Sequence, residues 1–176
     1  MRISVMLRSL LPIVLAMSVF TSDALGQDAR TVIILVRHAE KEAEPAADPV
    51  LTAAGQARAQ DLAQRLSDAG VDAIYASQFK RTILTVEPLA RQLGQEVRIA
   101  PINGAAEAYA AALARTILEQ HAGQTVLVAN HSNTVPLIAR AFGAPDPGMI
   151  EDSEYGHFLI VIAGPGGTRE LIRAHY

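Results

Sequence analysis

Residues 31–36 read TVIILV, a continuous apolar run rich in β-branched side chains. A strand of this composition has no polar face, so it must be covered on both sides, as in a sheet that lies between layers of helices. Mostly apolar runs at residues 71–76 and 125–129 predict further strands of the same sheet. Because parallel strands of this kind need helical connections, the chain is predicted to be an α/β protein.

The segments between these runs have the 3.6-residue periodicity of amphipathic helices. Helices are predicted over residues 52–69, 79–93, 105–121 and 133–142. Thr52 is the predicted N-cap of the first helix, and Pro88 is expected to kink or split the second. A weak strand at 97–100 and two further strands at 158–163 and 169–174 complete the pattern. The predicted fold is a three-layer α/β sandwich with a mostly parallel sheet, helices on both faces and an antiparallel C-terminal hairpin.

Length and composition exclude several classes of protein. The chain has 176 residues, which is enough for one domain with a substantial core. It contains no cysteine, so disulfides, thiolate metal sites and cysteine nucleophiles are excluded. The formal net charge is −3, which argues against a nucleic-acid partner.

The first 26 residues have the organisation of a secretory signal peptide. Arg2 and Arg8 precede an apolar run at residues 10–20, and Ala24 and Gly26 precede a predicted cut before Gln27. The apolar run is shorter than the roughly 20 residues of a membrane span, and an uncleaved anchor is the alternative interpretation. We therefore expect a secreted domain over residues 27–176, periplasmic in a bacterium, with no stable membrane span after removal of the signal.

Basic and imidazole side chains follow three of the predicted strands. Arg37 and His38 come directly after the first strand, Arg81 follows the second, and His131 follows the strand at 125–129. Because the carboxyl ends of parallel strands lie at the same edge of a sheet, we expect these four side chains to converge there.

These residue types suit the transfer of a phosphoryl group. Guanidinium groups match the geometry of phosphate oxygens and stay charged at any usable pH. Neighbouring cations lower the pKa of an imidazole, which keeps the ring neutral and nucleophilic. The pattern therefore predicts phosphoryl transfer through a phosphohistidine, with positive charge opposing the negative charge that develops.

Three motifs in this order resemble those of the histidine phosphatase superfamily, also called phosphoglycerate-mutase-like. They are RHAEK at 37–41, DAIYASxxxRT at 72–82 and VANHSNT at 128–134, with LTxxGxxRA at 51–59 between the first two. The resemblance extends over residues 31–176 and is to the small, single-domain branch that includes bacterial phosphohistidine phosphatases.

The resemblance implies roles for individual residues. His38 would be the nucleophile that becomes phosphorylated, Arg37 and Arg81 would bind the phosphoryl oxygens, and His131 would stabilise the transferring group. It implies no metal and no other cofactor. Glu107 is the candidate general acid because the segment at 101–110 has no other carboxylate. Further acid candidates are Glu40, Asp152 and Glu154, and the further candidate substrate contacts are Ser132, Asn133 and Arg58.

The predicted activity is metal-independent hydrolysis of a phosphomonoester or a phosphoprotein. The expected partner is a phosphorylated small molecule, an envelope glycolipid or a phosphoprotein. One alternative is a non-catalytic phosphate-binding module of the same fold, favoured by the lack of a clear motif around the acid. The other is a phosphoglycerate-type mutase, which export disfavours because phosphoglycerates are cytoplasmic.

Overall fold

The first predicted strand lies inside a six-stranded sheet. The computed structural model describes residues 30–164, 167 and 169–176, so the predicted signal peptide lies outside the described residues. The elements in chain order are β1 (Thr31–Arg37), α1 (Ala53–Leu66), β2 (Val71–Ala76), α2 (Lys80–Leu93), β3 (Val97–Ile99), α3 (Ala106–Gln120), β4 (Thr125–Asn130), α4 (Val135–Ala141), β5 (His157–Ala163) and β6 (Arg169–His175).

The order of the strands fixes which loops meet at the edge of the sheet. The order is β3-β2-β4-β1-β5-β6. β1 pairs in parallel with β4, and β2 pairs in parallel with both β3 and β4. β5 is antiparallel to β1 and to β6, so within the described sheet it runs against the other five strands. The mostly parallel sheet and the antiparallel C-terminal hairpin are confirmed, and β5 begins at the edge where the parallel strands end.

Helices cover both faces of the sheet, and successive side chains of β1 are buried on opposite faces. Ile33 and Leu35 pack with residues of α3 and α4, whereas Ile34 and Val36 pack with residues of α1 and α2. Full burial of each such side chain contributes about 1.5–3 kcal/mol to folding, which explains why this strand has no polar face. The three-layer arrangement is therefore confirmed. None of the helices in the described residues is long and apolar enough to cross a membrane.

The first helix begins as predicted and ends one turn early. The hydroxyl oxygen of Thr52 accepts a hydrogen bond from the backbone N–H of Gly55 at 3.1 Å, which confirms Thr52 as the N-cap. α1 ends at Leu66 rather than at residue 69, because the Ser67 side chain and backbone N–H both bond to the carbonyl of Gln64 and tighten the chain into a turn.

The second helix runs through its proline. α2 is continuous from Lys80 to Leu93 with Pro88 inside it, so the prediction of a split helix is wrong. Proline removes one backbone donor, but Val86 and Leu89 on either side are fully buried against the sheet. Their burial offsets the lost hydrogen bond, since the two side chains together contribute about 3–6 kcal/mol against the roughly 3 kcal/mol that proline costs.

Candidate active site

A cavity of about 660 Å³ lies at the edge where β1, β2 and β4 end and β5 begins. The four residues predicted to handle the phosphoryl group, Arg37, His38, Arg81 and His131, all line it. The other polar and aromatic lining residues include Lys41, Phe79, Ser132, Asn133, Thr134, Asp152 and Tyr155. The topology therefore brings together side chains that are far apart in the sequence.

His38 is held with one ring nitrogen free to react. Its Nδ1 lies 2.8 Å from the carbonyl oxygen of Ala39, which can only accept, so Nδ1 carries the proton and Nε2 carries the lone pair. Burial, together with the charges of Arg37 and Arg81, lowers the pKa of His38 to about 4 against the opposing effect of the Ala39 carbonyl. At neutral pH the ring is therefore uncharged and has a nucleophilic Nε2.

The backbone around His38 is fixed by two neighbouring elements. The His38 N–H donates to the carbonyl of Asn130 at the end of β4. The N–H of Ala39 donates to the hydroxyl of Thr85 on α2, and that hydroxyl donates to the carbonyl of Arg81 one turn earlier. Thr85 was not predicted from the sequence, although it links the histidine segment to the turn that holds Arg81.

His131 lies beside His38, and its ring is hydrogen-bonded to the hydroxyl of Ser77. The two ring centroids are 5.4 Å apart. His131 Nε2 is 3.1 Å from the hydroxyl of Ser77, which is 2.8 Å from the hydroxyl of Thr82. Burial, followed by the charge of Arg81, lowers the pKa of His131 to about 3. Both imidazoles are therefore neutral when the cavity contains no anion.

Arg37 is anchored by the segment that leads into β5. Its NH1 donates to the carbonyls of Glu151 and Glu154 at 2.8 and 3.0 Å, and its guanidinium lies 4.3 Å from the ring centroid of Tyr155. Tyr155 was not predicted as a site residue. The signal that could have indicated it is the antiparallel β5, since a strand that reverses direction begins at the edge where the others end.

Arg81 enters the cavity from the first turn of α2. Its guanidinium lies 4.3 Å from the ring centroid of Phe79, and burial lowers its pKa from the usual value, which still leaves it charged. The Nε atoms of Arg37 and Arg81 are both buried and have no hydrogen-bond partner among the described residues. Both arginine side chains line the cavity, so two cations at this edge are available to an anion.

The structure places Arg58 outside the lining of the cavity. Arg58 does not line the cavity; its guanidinium donates to both carboxylate oxygens of Glu40 at 2.7–3.0 Å. The reason is local, because α1 packs directly on the segment after His38. A Cβ on Gly55 would lie 2.1 Å from the carbonyl oxygen of Glu40, so only glycine permits this approach. Gly55 and Arg58 of the LTxxGxxRA motif therefore hold Glu40 in place. Because its carboxylate is hydrogen-bonded to Arg58, Glu40 is also not free to act as an acid.

The structure places Glu107 outside the lining of the cavity as well. It lies exposed in the first turn of α3, where the helix dipole stabilises its negative charge, and it does not line the cavity. Asp152 is the carboxylate that lines the cavity within the described residues. It lies 3.5 Å from Arg37 NH2 and accepts a hydrogen bond from Ser132 at 2.9 Å, with its side chain 91% exposed.

The two remaining predicted contacts, Ser132 and Asn133, do line the cavity. Among the described residues, no group of three or more histidine, aspartate and glutamate side chains lies close enough together to hold a metal ion. The groups of this site that can take part in chemistry are therefore two neutral imidazoles and several cations. In the described lining, the cations outnumber the carboxylates.

Comparison with known sequences agrees with this arrangement. The family described as "Histidine phosphatase superfamily (branch 1)" matches residues 33–102, which include Arg37, His38 and Arg81. Phosphoserine phosphatase 1 of Hydrogenobacter thermophilus is 44% identical over 71 aligned residues, covering 37% of this chain. The match spans 34% of the length of that curated relative.

Solved structures share the fold at low sequence identity. A mutant phosphoserine phosphatase of Entamoeba histolytica in complex with phosphoserine superposes with a TM-score of 0.64 at 19% identity, covering 80% of this chain and 94% of that one. The protein histidine phosphatase SixA complexed with tungstate gives 0.64 at 18%, covering 82% and 96%. The mycobacterial glucosyl-3-phosphoglycerate phosphatase gives 0.65 at 13%, covering 84% and 98%. With its three motifs gathered at one edge of this fold, the chain is similar to the histidine phosphatase superfamily, whose family model matches it over residues 33–102.

Proposed function

We propose that this protein is a phosphatase that hydrolyses a phosphomonoester or a phosphorylated protein side chain through a phosphohistidine on His38. The observation that carries the proposal is that the guanidinium side chains of Arg37 and Arg81 line the same cavity as a neutral His38. Guanidinium groups match the geometry of phosphoryl oxygens and stay charged at any usable pH, so these two side chains suit the binding of a phosphoryl group.

The free Nε2 of His38 attacks the phosphorus atom. A P–N bond forms as the bond to the ester oxygen breaks, and Arg37 and Arg81 stabilise the negative charge on the phosphoryl oxygens. Water then attacks the phosphorus atom, the P–N bond breaks, and inorganic phosphate leaves with His38 restored. No step of this sequence requires a metal ion.

Asp152 and His131 are the groups that can supply a proton to the leaving oxygen. Both line the cavity, whereas Glu107 and Glu40 do not. The negative charge of a bound phosphate monoester raises the proton affinity of a neighbouring imidazole, so His131 can take up a proton only when substrate is present. A leaving group of low pKa needs this proton least, so aryl phosphates are the substrates of choice for a first assay.

The substrate class and the location of the protein are part of the proposal. The curated relative is a phosphoserine phosphatase, and one structural relative is a protein histidine phosphatase, which supports both small-molecule and protein substrates. The signal-like sequence at residues 1–26 supports action outside the cytoplasm.

The test is hydrolysis of phenyl phosphate by the wild type and by His38→Ala. We expect the variant to lose turnover by at least a thousandfold while its circular dichroism and thermal unfolding match those of the wild type. Wild-type protein quenched in alkali during turnover should carry one phosphate that is stable to base and released by acid, as expected of a phosphoramidate.

His175→Ala is the matched control, because this histidine lies on β6 and does not line the cavity. It should hydrolyse phenyl phosphate like the wild type. Equal rates for His38→Ala and the wild type would contradict the proposed nucleophile. Binding of inorganic phosphate without hydrolysis of any aryl phosphate would instead support the phosphate-binding module.

A further inference from the structure

A second cavity adjoins the first on the side of α4. It has a volume of about 470 Å³ and shares Ser132, Asn133 and Asp152 with the cavity that contains His38. The Ser132–Asp152 hydrogen bond lies on this common border, and because the Asp152 side chain is 91% exposed, the bond can yield to a ligand at little cost. A leaving group that passes this border enters the second cavity.

The lining of the second cavity differs in character from that of the first. Its distinctive residues are apolar: Pro136, Leu137, Met149 and Ile150. Met149 is 82% exposed, so a large flexible apolar side chain is left facing solvent. The flexible thioether of methionine packs against ligands of varied shape, which makes an exposed methionine a favourable apolar contact.

Arg140, the cation in the described lining of this cavity, is already paired. Arg140 lies 3.2 Å from the carboxylate of Asp146. The carbonyl of Glu151 accepts from Arg37, and its backbone N–H donates to the carboxylate of Glu154. The lining therefore offers apolar contact rather than a second site for charge, and its volume is in the range of small-molecule sites.

We propose that this cavity, formed by α4 and residues 148–152, binds the apolar part of the leaving group. The proposal rests on the proposed function, since the phosphoryl group must lie at His38 for the leaving group to extend past Ser132. The substrate class is then a phosphate monoester of an alcohol or phenol that carries a hydrocarbon chain or ring. Such a molecule matches both halves of the site, with a dianion among cations and an apolar body against Leu137 and Met149.

The experiment compares kcat/KM for phenyl, 4-ethylphenyl and 4-butylphenyl phosphate. The three leaving groups differ little in acidity, so the chemistry is constant and the apolar length varies. Each methylene that becomes buried is expected to raise kcat/KM about threefold, which gives at least a tenfold advantage for the butyl compound. A polar extension of similar length, 4-(2-hydroxyethyl)phenyl phosphate, should show no such advantage.

Met149→Ser is the variant that tests the cavity, because an exposed side chain can be changed without loss of the core. It should reduce the butyl-to-phenyl ratio of kcat/KM at least threefold. Ile172→Ser is the matched control, since Ile172 is 46% exposed on β6 and lines neither cavity. A ratio near one in the wild type, or a ratio equal in the wild type and Met149→Ser, would overturn the proposal.

A binding measurement separates this proposal from the proposed function. Calorimetry with 4-butylphenylphosphonate and phenylphosphonate needs no turnover, and the butyl compound should bind at least tenfold more tightly to the wild type than the phenyl compound does. If no phosphate ester is hydrolysed, this preference would still support the apolar subsite, and its absence would refute it. A dimer in sedimentation that dissociates in Met149→Ser would assign the apolar surface to a second copy and would also refute it.

Discussion

At the scale of single residues, Ser77 determines which nitrogen of His131 holds a proton. The hydroxyl of Thr82 lies 2.8 Å from the carbonyl of Phe79, to which it can only donate. With its one proton used there, Thr82 accepts from Ser77, and Ser77 in turn accepts from Nε2–H of His131. The other ring nitrogen of the neutral His131 therefore has a lone pair and can take up a proton when a phosphate monoester binds.

Ser77→Ala should consequently impair catalysis without unfolding the protein. Ser77 is fully buried, so the change leaves Nε2–H of His131 without an acceptor. A buried donor left unsatisfied costs about 1–3 kcal/mol, and we expect kcat/KM for phenyl phosphate to fall about tenfold. Ser67→Ala, which removes a hydroxyl at the exposed end of α1, is the control. Unchanged kcat/KM in a folded Ser77→Ala protein would contradict this role.

The sequence was sufficient to predict some site residues and insufficient for others, for a physical reason. Arg37, His38 and His131 directly follow strands, and parallel strands determine where their last residues lie. Tyr155 comes from an irregular loop, and its position over Arg37 depends on side-chain packing that no periodicity encodes. Glu107 lies away from the cavity because its segment forms the exposed first turn of α3.

At the scale of elements, the contact between α1 and the segment after His38 depends on the absence of a side chain at Gly55. Gly55→Ala would place a Cβ 2.1 Å from the carbonyl oxygen of Glu40. Alanine favours a helix over glycine by about 1 kcal/mol, but overpacking of this kind costs about 1–3 kcal/mol and displaces the Glu40 backbone. We therefore expect Gly55→Ala to lower the free energy of unfolding by up to about 2 kcal/mol in urea titrations.

Ala57→Gly makes the opposite exchange at an exposed position of the same helix. It should cost about 1 kcal/mol through helix propensity alone. Both exchanges are thus expected to destabilise the protein, although they change propensity in opposite directions. A Gly55→Ala protein more stable than the wild type would show that α1 can move away from Glu40.

The elements themselves were predicted well where burial determines them. β1 and β4 have apolar sequences that permit burial on both faces, and the helices between them have clear apolar faces. The split expected at Pro88 does not occur, because local backbone preference was weighed without the buried contacts of Val86 and Leu89. Residues 143–156 form a loop with no periodicity, so its return to the cavity followed only from the direction of β5.

At the scale of the whole molecule, a chain of net charge −3 concentrates positive charge at one edge of its sheet. Arg37, Lys41 and Arg81 line the cavity against the single carboxylate of Asp152 within the described lining. These cations and the burial of the site together keep His38 and His131 neutral. The arrangement that suits phosphate binding therefore also makes folding sensitive to acid.

The sign of this effect follows from the two pKa values. An unfolded histidine takes up a proton near pH 6.5, whereas folded His38 and His131 do so only near pH 4 and pH 3. Between pH 6.5 and about pH 4 the unfolded chain binds more protons, so the free energy of unfolding falls as the pH falls. Each histidine contributes a slope of up to about 1.4 kcal/mol per pH unit in this window, and its contribution to stability is fully present above pH 6.5.

Urea unfolding followed by circular dichroism between pH 4.5 and 7.5 measures this slope. The double variant His38→Gln, His131→Gln lacks both titrating rings, so its stability should fall less steeply below pH 6.5 than that of the wild type. Inorganic phosphate at pH 6 should stabilise the wild type more than the double variant, because a bound anion offsets the cations around the two rings. Parallel pH dependences for the two proteins would show that acid sensitivity originates elsewhere in the molecule and that the imidazoles are not held neutral by the site.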